Sequence, residues 1–458
     1  MSGPTRDVPI LRRGLKPLSL FAVMFFIVCA GPFGIEEMVP LAGPGLAILA
    51  LLVMAVLWGA PYALVTAELV AALPQEGGQY VWYRETLGRF WAFQLSWLDW
   101  LTWLFDSAIY PPLIAAYLVT LIFEEPAHWV TWIVCLVVIW SCTWLNIRGV
   151  KAVGRFSVAL AVAVLAPLVA LVFFGWSEVS FTPLQQWIPE GTEFSEALTY
   201  ALIWGIWCYS GYEGLAYAAE EIEDTERSYP KILALLLPFS AMVYVLPLLV
   251  TLGANPSWAQ WETAQFADAA RIIGGPWLAF GMVVAAQIAL IAIFNGELLV
   301  NSRLPFAMAR DGFLPQALTQ LHPRHATPHL LLVIQAVLLS VLCYFWGFVE
   351  ILVFSTWLSM PTYVIGYALP FVLRWKQPQR RGAFRVPGGW TCLSLVCLFP
   401  VLIALYVLFN VPWEQVRLGV ALIVVGPVLY FLAQRWNRRS KAGKAHPGET
   451  EAGRYNHP

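Results

Sequence analysis

Six carboxylate side chains lie within or near the long apolar segments of this sequence: Glu36, Glu37, Asp99, Asp106, Glu213 and Glu297. An ionisable group at the centre of a bilayer costs about 2.5–3.5 kcal/mol on insertion scales, so each of these side chains requires a function or a partner. No Lys or Arg lies at a comparable depth. Acidic side chains without basic ones suit a cationic solute or a travelling proton, and they suit a bare carboxylate poorly.

The spacing of these acids predicts which of them can share a surface. Asp99 and Asp106 are seven residues apart, so they lie on one face of a helix. Glu36 and Glu37 are about 100° apart around a helix axis, so at most one of them should face a central cavity. We favour Glu36 for the cavity, and Glu37 would then face an extracellular vestibule.

Two apolar segments are interrupted by residues that break helices. Residues 31–34 read Gly-Pro-Phe-Gly, and residues 210–214 read Ser-Gly-Tyr-Glu-Gly. Backbone freed from a helix inside hydrocarbon is tolerated only where it lines a cavity or is buried in protein. Interrupted spans at corresponding positions in two halves of one chain indicate the binding site of a secondary transporter. A proline kink at residues 31–34 and a purely structural role for Glu213 are the alternatives.

The elements that must position these residues are membrane-spanning helices. Hydrophobic residues make up 59% of the chain and charged residues 12%, half of the roughly 25% charged residues in a globular domain. Apolar runs of about 20 residues predict twelve spans, at residues 17–41, 46–73, 89–122, 128–147, 150–175, 196–219, 229–253, 276–305, 328–346, 348–373, 390–410 and 415–435.

Basic residues predict how these spans are oriented. With the N-terminus inside, 25 of the 27 Lys and Arg fall in segments on the cytoplasmic side, as the positive-inside rule requires. We therefore predict a multi-pass protein of the plasma or inner membrane with both termini cytoplasmic. An N-terminal segment (1–16) precedes a five-helix unit (17–175) and a second, inverted unit (196–373). Helices 11 and 12 (390–435) and a cytoplasmic tail (436–458) follow.

Other functional classes lack their sequence features. The six His residues lie in loops, at span ends or in the tail, and no nucleotide-binding motif such as G-x-x-x-x-G-K-[ST] occurs. The seven Cys fall in apolar runs without a CxxC pair or a metal-ligand spacing, as expected of small buried side chains. We expect no enzymatic activity, no cofactor, no metal and no nucleic-acid partner.

Motifs in the segments between spans resemble those of one superfamily. They comprise Ala219-Glu220-Glu221-Ile222 with Tyr229-Pro230-Lys231; Ser302-Arg303-Leu304 with residues 309–315 and Thr327-Pro328; and Pro61, Ala67-Glu68-Leu69, Pro74, Gly77-Gly78 and Tyr80. Their types and order over residues 17–400 resemble the amino acid–polyamine–organocation superfamily. The resemblance implies a LeuT-type fold with a 5+5 inverted repeat whose helices 1 and 6 are broken.

A narrower resemblance concerns the polyamine-uptake branch of that superfamily. It rests on residues 31–36 and on Trp100-Leu101, Asp106, Ala108, Tyr110-Pro111 and Tyr117-Leu118 in span 3, together with an acidic residue at the span 6 break, here Glu213. Pro32 has no N–H to offer a substrate carboxylate. Residues 156–175 contain no Lys, so the Lys-based coupling of many amino-acid branches is not expected.

These observations predict a secondary transporter that moves polyamines or amino acids across the bilayer by alternating access. A proton is the expected coupling ion, and sodium is the other candidate. A permease or exchanger of neutral or zwitterionic amino acids is the main alternative, because helix ends could hold a carboxylate while an acid holds the amine. A transporter-derived sensor and a channel are further alternatives.

The predicted site combines both breaks with span 3. Its substrate-binding residues are Gly31, Phe33, Gly34, Glu36, Asp106, Tyr110, Trp207, Ser210, Gly211, Tyr212 and Glu213. Aromatic residues there could hold an ammonium group by cation–π contacts of about 0.5–2 kcal/mol, or they could simply pack. Glu68 and Glu297 could relay protons, or they could serve an inner gate or packing. Asp99 is expected in a structural network.

Overall fold

The computed structural model of the protein describes residues 17–73, 78–119, 127–149, 152–214, 225–380 and 382–444. Over these residues the chain is helical and contains no β-strand. Eight of the helices described are long and apolar enough to cross a membrane, by length and composition. The protein is therefore an all-α, polytopic membrane protein.

Sixteen α-helices follow one another in this described part of the chain. They are α1 (Pro17–Val28), α2 (Met38–Ala42), α3 (Pro44–Met54), α4 (Ala60–Ala72), α5 (Gly78–Leu87), α6 (Arg89–Val119), α7 (His128–Ile147), α8 (Ala152–Phe174), α9 (Phe194–Cys208), α10 (Thr225–Ala254), α11 (Gln265–Gly274), α12 (Pro276–Arg310), α13 (His329–Phe345), α14 (Phe348–Lys376), α15 (Gly389–Asn410) and α16 (Trp413–Lys444).

Each of the twelve predicted spans coincides with one helix or begins in one. Span 1 is α1 and α2, and span 2 is α3 and α4, which a π-helical turn at Ala55–Gly59 joins. Span 6 begins as α9, but residues 215–224, with the Ala219–Ile222 motif, lie outside the described residues. So do Pro74, Gly77, the N-terminal segment and residues 445–458.

Two features of the helices differ from the sequence prediction. The short helices α5 and α11 were not expected, because both are too short to span a bilayer. The helix α16 extends to Lys444 and so includes the first residues of the tail predicted at 436–458. Arg, Lys and Ala are good helix formers, so α16 continues beyond its apolar part.

The packing of the first five spans repeats in the next five. In the first unit α1, its first span, packs on α8, its fifth. In the second unit the corresponding helices, α9 and α14, pack on each other. Likewise α8 packs on α12, while α14 packs on α6. The third spans of both units, α6 and α12, pack along each other at the centre. The fifth span of each unit thus packs on the third span of the other, as expected of two five-helix repeats.

Positive φ angles end the first helix of each unit. Ala30, Gly31 and Gly34 have φ angles of 50°, 125° and 99°, and Pro32 cannot donate a helical hydrogen bond. The helix therefore stops at Val28 and resumes as a 3-10 turn at Ile35–Glu37. Gly211, with a φ angle of 87°, follows the end of α9 in the same way.

Candidate functional site

The second break packs on the last turn of α1, just before the first break. A Cβ atom at Gly211 would lie 3.1 Å from the carbonyl oxygen of Ile27. A Cβ atom at Gly214 would lie 2.7 Å from Cγ2 of the same residue. Glycine at these two positions therefore allows the second break to pack closely on the end of α1.

A cavity with about 960 Å³ of empty space, part of it continuous with solvent, lies beside this contact. It is bounded by both breaks and by α6, α12 and α14. Nine of the residues predicted for the site or for proton relay line this cavity: Gly31, Phe33, Asp106, Tyr110, Trp207, Ser210, Gly211, Glu213 and Glu297. The sequence prediction located the cavity through the breaks, because helix-breaking residues are a local signal.

The wall of the cavity carries acidic groups. Asp99, Asp106, Glu213 and Glu297 line it, and none of its lining residues within the described chain is Lys, Arg or His. Three of the four are deeply buried, with 4–6% of the side chain exposed for Asp99, Glu213 and Glu297. The interior field is therefore one that attracts cations.

Asp106 and Glu297 form a carboxyl pair between α6 and α12. Their carboxyl groups lie close enough to interact, and the Ser107 hydroxyl donates to Oε2 of Glu297 at 2.9 Å. The Tyr110 hydroxyl also approaches both acids. A hydrogen bond between two carboxyl groups requires a proton on one of them, so the pair can hold one proton and one negative charge together.

Glu213 lies within the second break, in a 3-10 turn at residues 212–214. Its Oε2 atom has no hydrogen-bond partner among the described residues, and the hydroxyl of Tyr62 approaches the carboxyl group. An unsatisfied buried carboxylate oxygen is costly. This oxygen is therefore available to a ligand or to a proton.

Aromatic side chains close one end of the cavity. The ring of Trp207 lies 5.8 Å from that of Phe348, and a Cβ atom at Gly34 would lie 3.2–3.3 Å from Leu113, Phe348 and Trp207. Gly34 thus packs against these side chains and does not line the cavity. Trp207 and Tyr110 line the same cavity as the acids.

The structure places Glu36 away from the cavity, contrary to the expectation from the sequence. The side chain is fully buried. It accepts hydrogen bonds from the N–H of Gly34 at 2.8 Å, the N–H of Ala264 at 3.1 Å and the hydroxyl of Tyr117. Neither Glu36 nor Glu37 lines the cavity. Glu37 accepts a hydrogen bond from the hydroxyl of Thr263. Glu36 instead fixes the first break to α6 and to the segment before α11.

Tyr212 and Glu68 also lie outside the cavity lining. The Tyr212 ring is buried and lies 5.9 Å from the ring of Tyr62. Glu68 accepts two hydrogen bonds from Arg374, from Nε at 2.8 Å and from Nη2 at 2.6 Å, and a third from the N–H of Val386 at 2.8 Å. Of the two acids predicted for proton relay, only Glu297 faces the cavity.

Sequence reasoning missed the contribution of α14 and the position of Asp99. Asp99, expected in a structural network, lines the cavity, and so do four Ser and Thr residues of α14: Ser355, Thr356, Ser359 and Thr362. The signal was present, because Ser355, Ser359 and Thr362 recur at the spacing of one helix face. The sequence could not show which face of α14 meets the cavity.

A cluster of charged residues joins α5 to the end of α12. Asp311 accepts a hydrogen bond from the Tyr80 hydroxyl and lies 3.7 Å from Nη1 of Arg84. Burial and the adjacent Asp311 carboxylate raise the pKa of the Tyr80 phenol, so that it remains a neutral donor. Both partners of Asp311 lie on α5, so these contacts hold α5 against the end of α12.

Comparisons with known proteins agree with this architecture. The family described as "Amino acid permease" matches residues 18–433. The chain is 32% identical to "Polyamine transporter PUT1" of Oryza sativa subsp. japonica over 452 residues, covering 94% of this chain and 82% of that protein. It is 29% identical to "Polyamine transporter RMV1" of Arabidopsis thaliana over 438 residues, covering 93% and 86%. An uncharacterized transporter of Legionella pneumophila is 24% identical over 406 residues, covering 81% and 85%.

Proposed function

Because the chain belongs to the amino acid permease family of the amino acid–polyamine–organocation superfamily, and is therefore a transporter, we propose that it carries polyamines by proton-coupled alternating access. The observation that carries this proposal is the cavity beside the two breaks, whose lining, over the residues that the structure describes, includes four carboxylates and no basic side chain. A polyamine brings several ammonium groups into such a cavity, and each can pair with a carboxylate. Relatives named as polyamine transporters support the same substrate class.

We assign the substrate's ammonium groups to Asp106 and Glu213. Both acids line the cavity, and Glu213 has an oxygen without a partner in the described chain. The faces of Trp207 and Tyr110 would add cation–π attraction of about 0.5–2 kcal/mol each. Gly31, Phe33, Ser210 and Gly211 would complete the wall around the ligand.

The backbone of the first break gives little support to the alternative substrate, a neutral or zwitterionic amino acid. Such a solute would place its carboxylate on free amides at the break. The N–H groups of Ala30, Gly31 and Gly34 already donate, to the carbonyls of Phe25 and Cys29 and to Glu36. A carboxylate bound to these three amides would have to displace their bonds, whereas an amine needs only the acids.

We assign the coupling proton to the Asp106–Glu297 pair. The proton that such a pair must hold leaves one negative charge, so that amine and proton can occupy the site together, as symport requires. Rocking of α1 and α9 against α6 and α12 would then expose the pair to each side of the membrane in turn. In this scheme both termini are cytoplasmic, because 25 of the 27 Lys and Arg then face the inside.

Uptake into proteoliposomes under an imposed inward proton gradient tests the proposal. We expect spermidine and putrescine to accumulate, a protonophore to abolish the accumulation, and alanine not to accumulate. Glu213→Gln should abolish amine uptake, whereas Glu350→Gln, the same change at an exposed position that begins α14, should not. Uptake of alanine alone would reject the polyamine assignment. Accumulation driven by an outward gradient would make amine and proton competitors and would reject symport.

A further inference from the structure

Asp99 has no role in the transport scheme above, although it lies in the same cavity. Its side chain is 4% exposed, and its Oδ2 atom has no hydrogen-bond partner among the described residues. The hydroxyl groups of Tyr83 and Thr362 approach the carboxyl group, and Gln79 of α5 lines the cavity as well. A buried carboxylate oxygen that faces a cavity without a partner is suited to bind a cationic group.

The distance between Asp99 and Asp106 is set by α6. Both side chains face the cavity from this one helix, and seven residues of α-helix rise by about 10.5 Å. Glu213 is near both, because its carboxyl group interacts electrostatically with Asp99 and with Asp106. Asp99 and Asp106 are therefore two separate carboxylates along the cavity wall, with Glu213 close to each.

We propose that Asp99 is a second ammonium subsite, and that its separation from Asp106 selects amines by chain length. The proposal rests on the function proposed above. A fully extended amine with ten backbone atoms, such as spermidine or 1,8-diaminooctane, separates its terminal nitrogens by about 11 Å, whereas putrescine separates them by about 6 Å. The longer chain can place an ammonium group beside each carboxylate. The shorter one, with a hydrogen bond of about 2.8 Å at each end, reaches both only when it lies fully extended and in line between them.

The discrimination can be measured with amines that differ only in length and in the second nitrogen. Competition against labelled spermidine uptake in proteoliposomes would compare 1,8-diaminooctane with 1,4-diaminobutane, and octylamine with butylamine. The monoamines report what four extra methylenes contribute by burial alone. A charge-assisted hydrogen bond to a buried carboxylate supports discrimination of about tenfold or more. We expect the eight-carbon diamine to gain at least that factor beyond the gain of the monoamines.

Substitutions of Asp99 and Asp106 test the contribution of each carboxylate. Asp99→Asn should abolish the additional gain of the eight-carbon diamine, because its second ammonium group loses the carboxylate with which it pairs. Asp106→Asn should abolish this gain as well, since the long diamine then has only one of the two carboxylates, and it should in addition weaken the short diamine, which the proposed function places at Asp106. Asp99→Glu keeps the charge and extends the carboxyl group by one methylene, so the preferred diamine should become shorter.

The outcomes distinguish a failure of this proposal from a failure of the polyamine function on which it rests. A preference for the long diamine that survives in Asp99→Asn or in Asp106→Asn would overturn the length-selecting role of Asp99. An unchanged length optimum in Asp99→Glu would overturn it too, even if the Asn variant does not fold. A wild-type protein that takes up alanine and no amine of either length would instead reject the polyamine function.

Discussion

Replacement of Glu68 tests whether this acid is a structural ion-pair partner or a proton carrier. Its pair with Arg374 is bidentate and buried, with 5% and 3% of the two side chains exposed. Arg374 also donates to the carbonyl oxygens of Gly389 at 3.0 Å and Val386 at 3.1 Å. Such contacts leave Glu68 no oxygen without a partner and no exposure to the cavity.

The expected loss follows from leaving one charge buried without its partner. Removing one member of a buried pair destabilises by about 3–5 kcal/mol, so Glu68→Gln and Arg374→Gln should each lower the melting temperature strongly. The double variant should lose less than the sum of both, since no unpaired charge remains. Glu85→Gln is the matched control, because Glu85 pairs with Arg380 at 3.3 Å near the surface, where a pair contributes about 0–1 kcal/mol.

The assay is thermal unfolding of purified protein in detergent, read by tryptophan fluorescence, alongside uptake measured over a range of pH. We expect Glu68→Gln to melt well below Glu85→Gln and to keep the pH dependence of uptake in the protein that remains folded. If Glu68→Gln melted with the control and shifted the pH dependence of uptake, the structural reasoning would be refuted. Glu68 would then be a proton carrier.

Two further substitutions test how the breaks and the close helix contacts are held. Glu36→Ala would leave the Tyr117 hydroxyl and two backbone amides without an acceptor, at about 1–3 kcal/mol each; it should lower the melting temperature, and an unchanged value would contradict the structural role of Glu36. Gly253→Ala would place a Cβ atom 1.9 Å from the carbonyl oxygen of Glu178 and should also destabilise. Gly296→Ala, with nothing within 4 Å, is its control and should melt like the wild type; equal melting of both would contradict the packing.

Local properties of the chain were sufficient to predict where helices run and where they break. Span positions follow from apolar runs of sufficient length, which depend on each segment alone. The breaks at residues 31–34 and 210–214 were predictable because Gly and Pro alter the backbone at their own positions. For the same reason most of the cavity residues on these breaks were named correctly.

Which acids meet in the cavity was decided by packing between distant segments. Glu36 and Glu213 are both acids beside a break, yet Glu36 is held by Tyr117 and by the N–H of Ala264, 228 residues away in the sequence. Glu213, in contrast, faces the cavity. A helix face can be computed from spacing, but the direction in which that face points depends on its neighbours.

The sequence by itself thus determined the class of the protein, the positions of its spans and of its two breaks, and the excess of acids over bases within the spans. Only the tertiary structure paired Glu68 with Arg374, 306 residues away, and brought Asp106 to Glu297 and Asp99 to the cavity wall. Hydropathy and helix breaking are properties of short segments. The partner of a buried charge is instead selected by the whole fold, because the charge must be paired wherever packing places it.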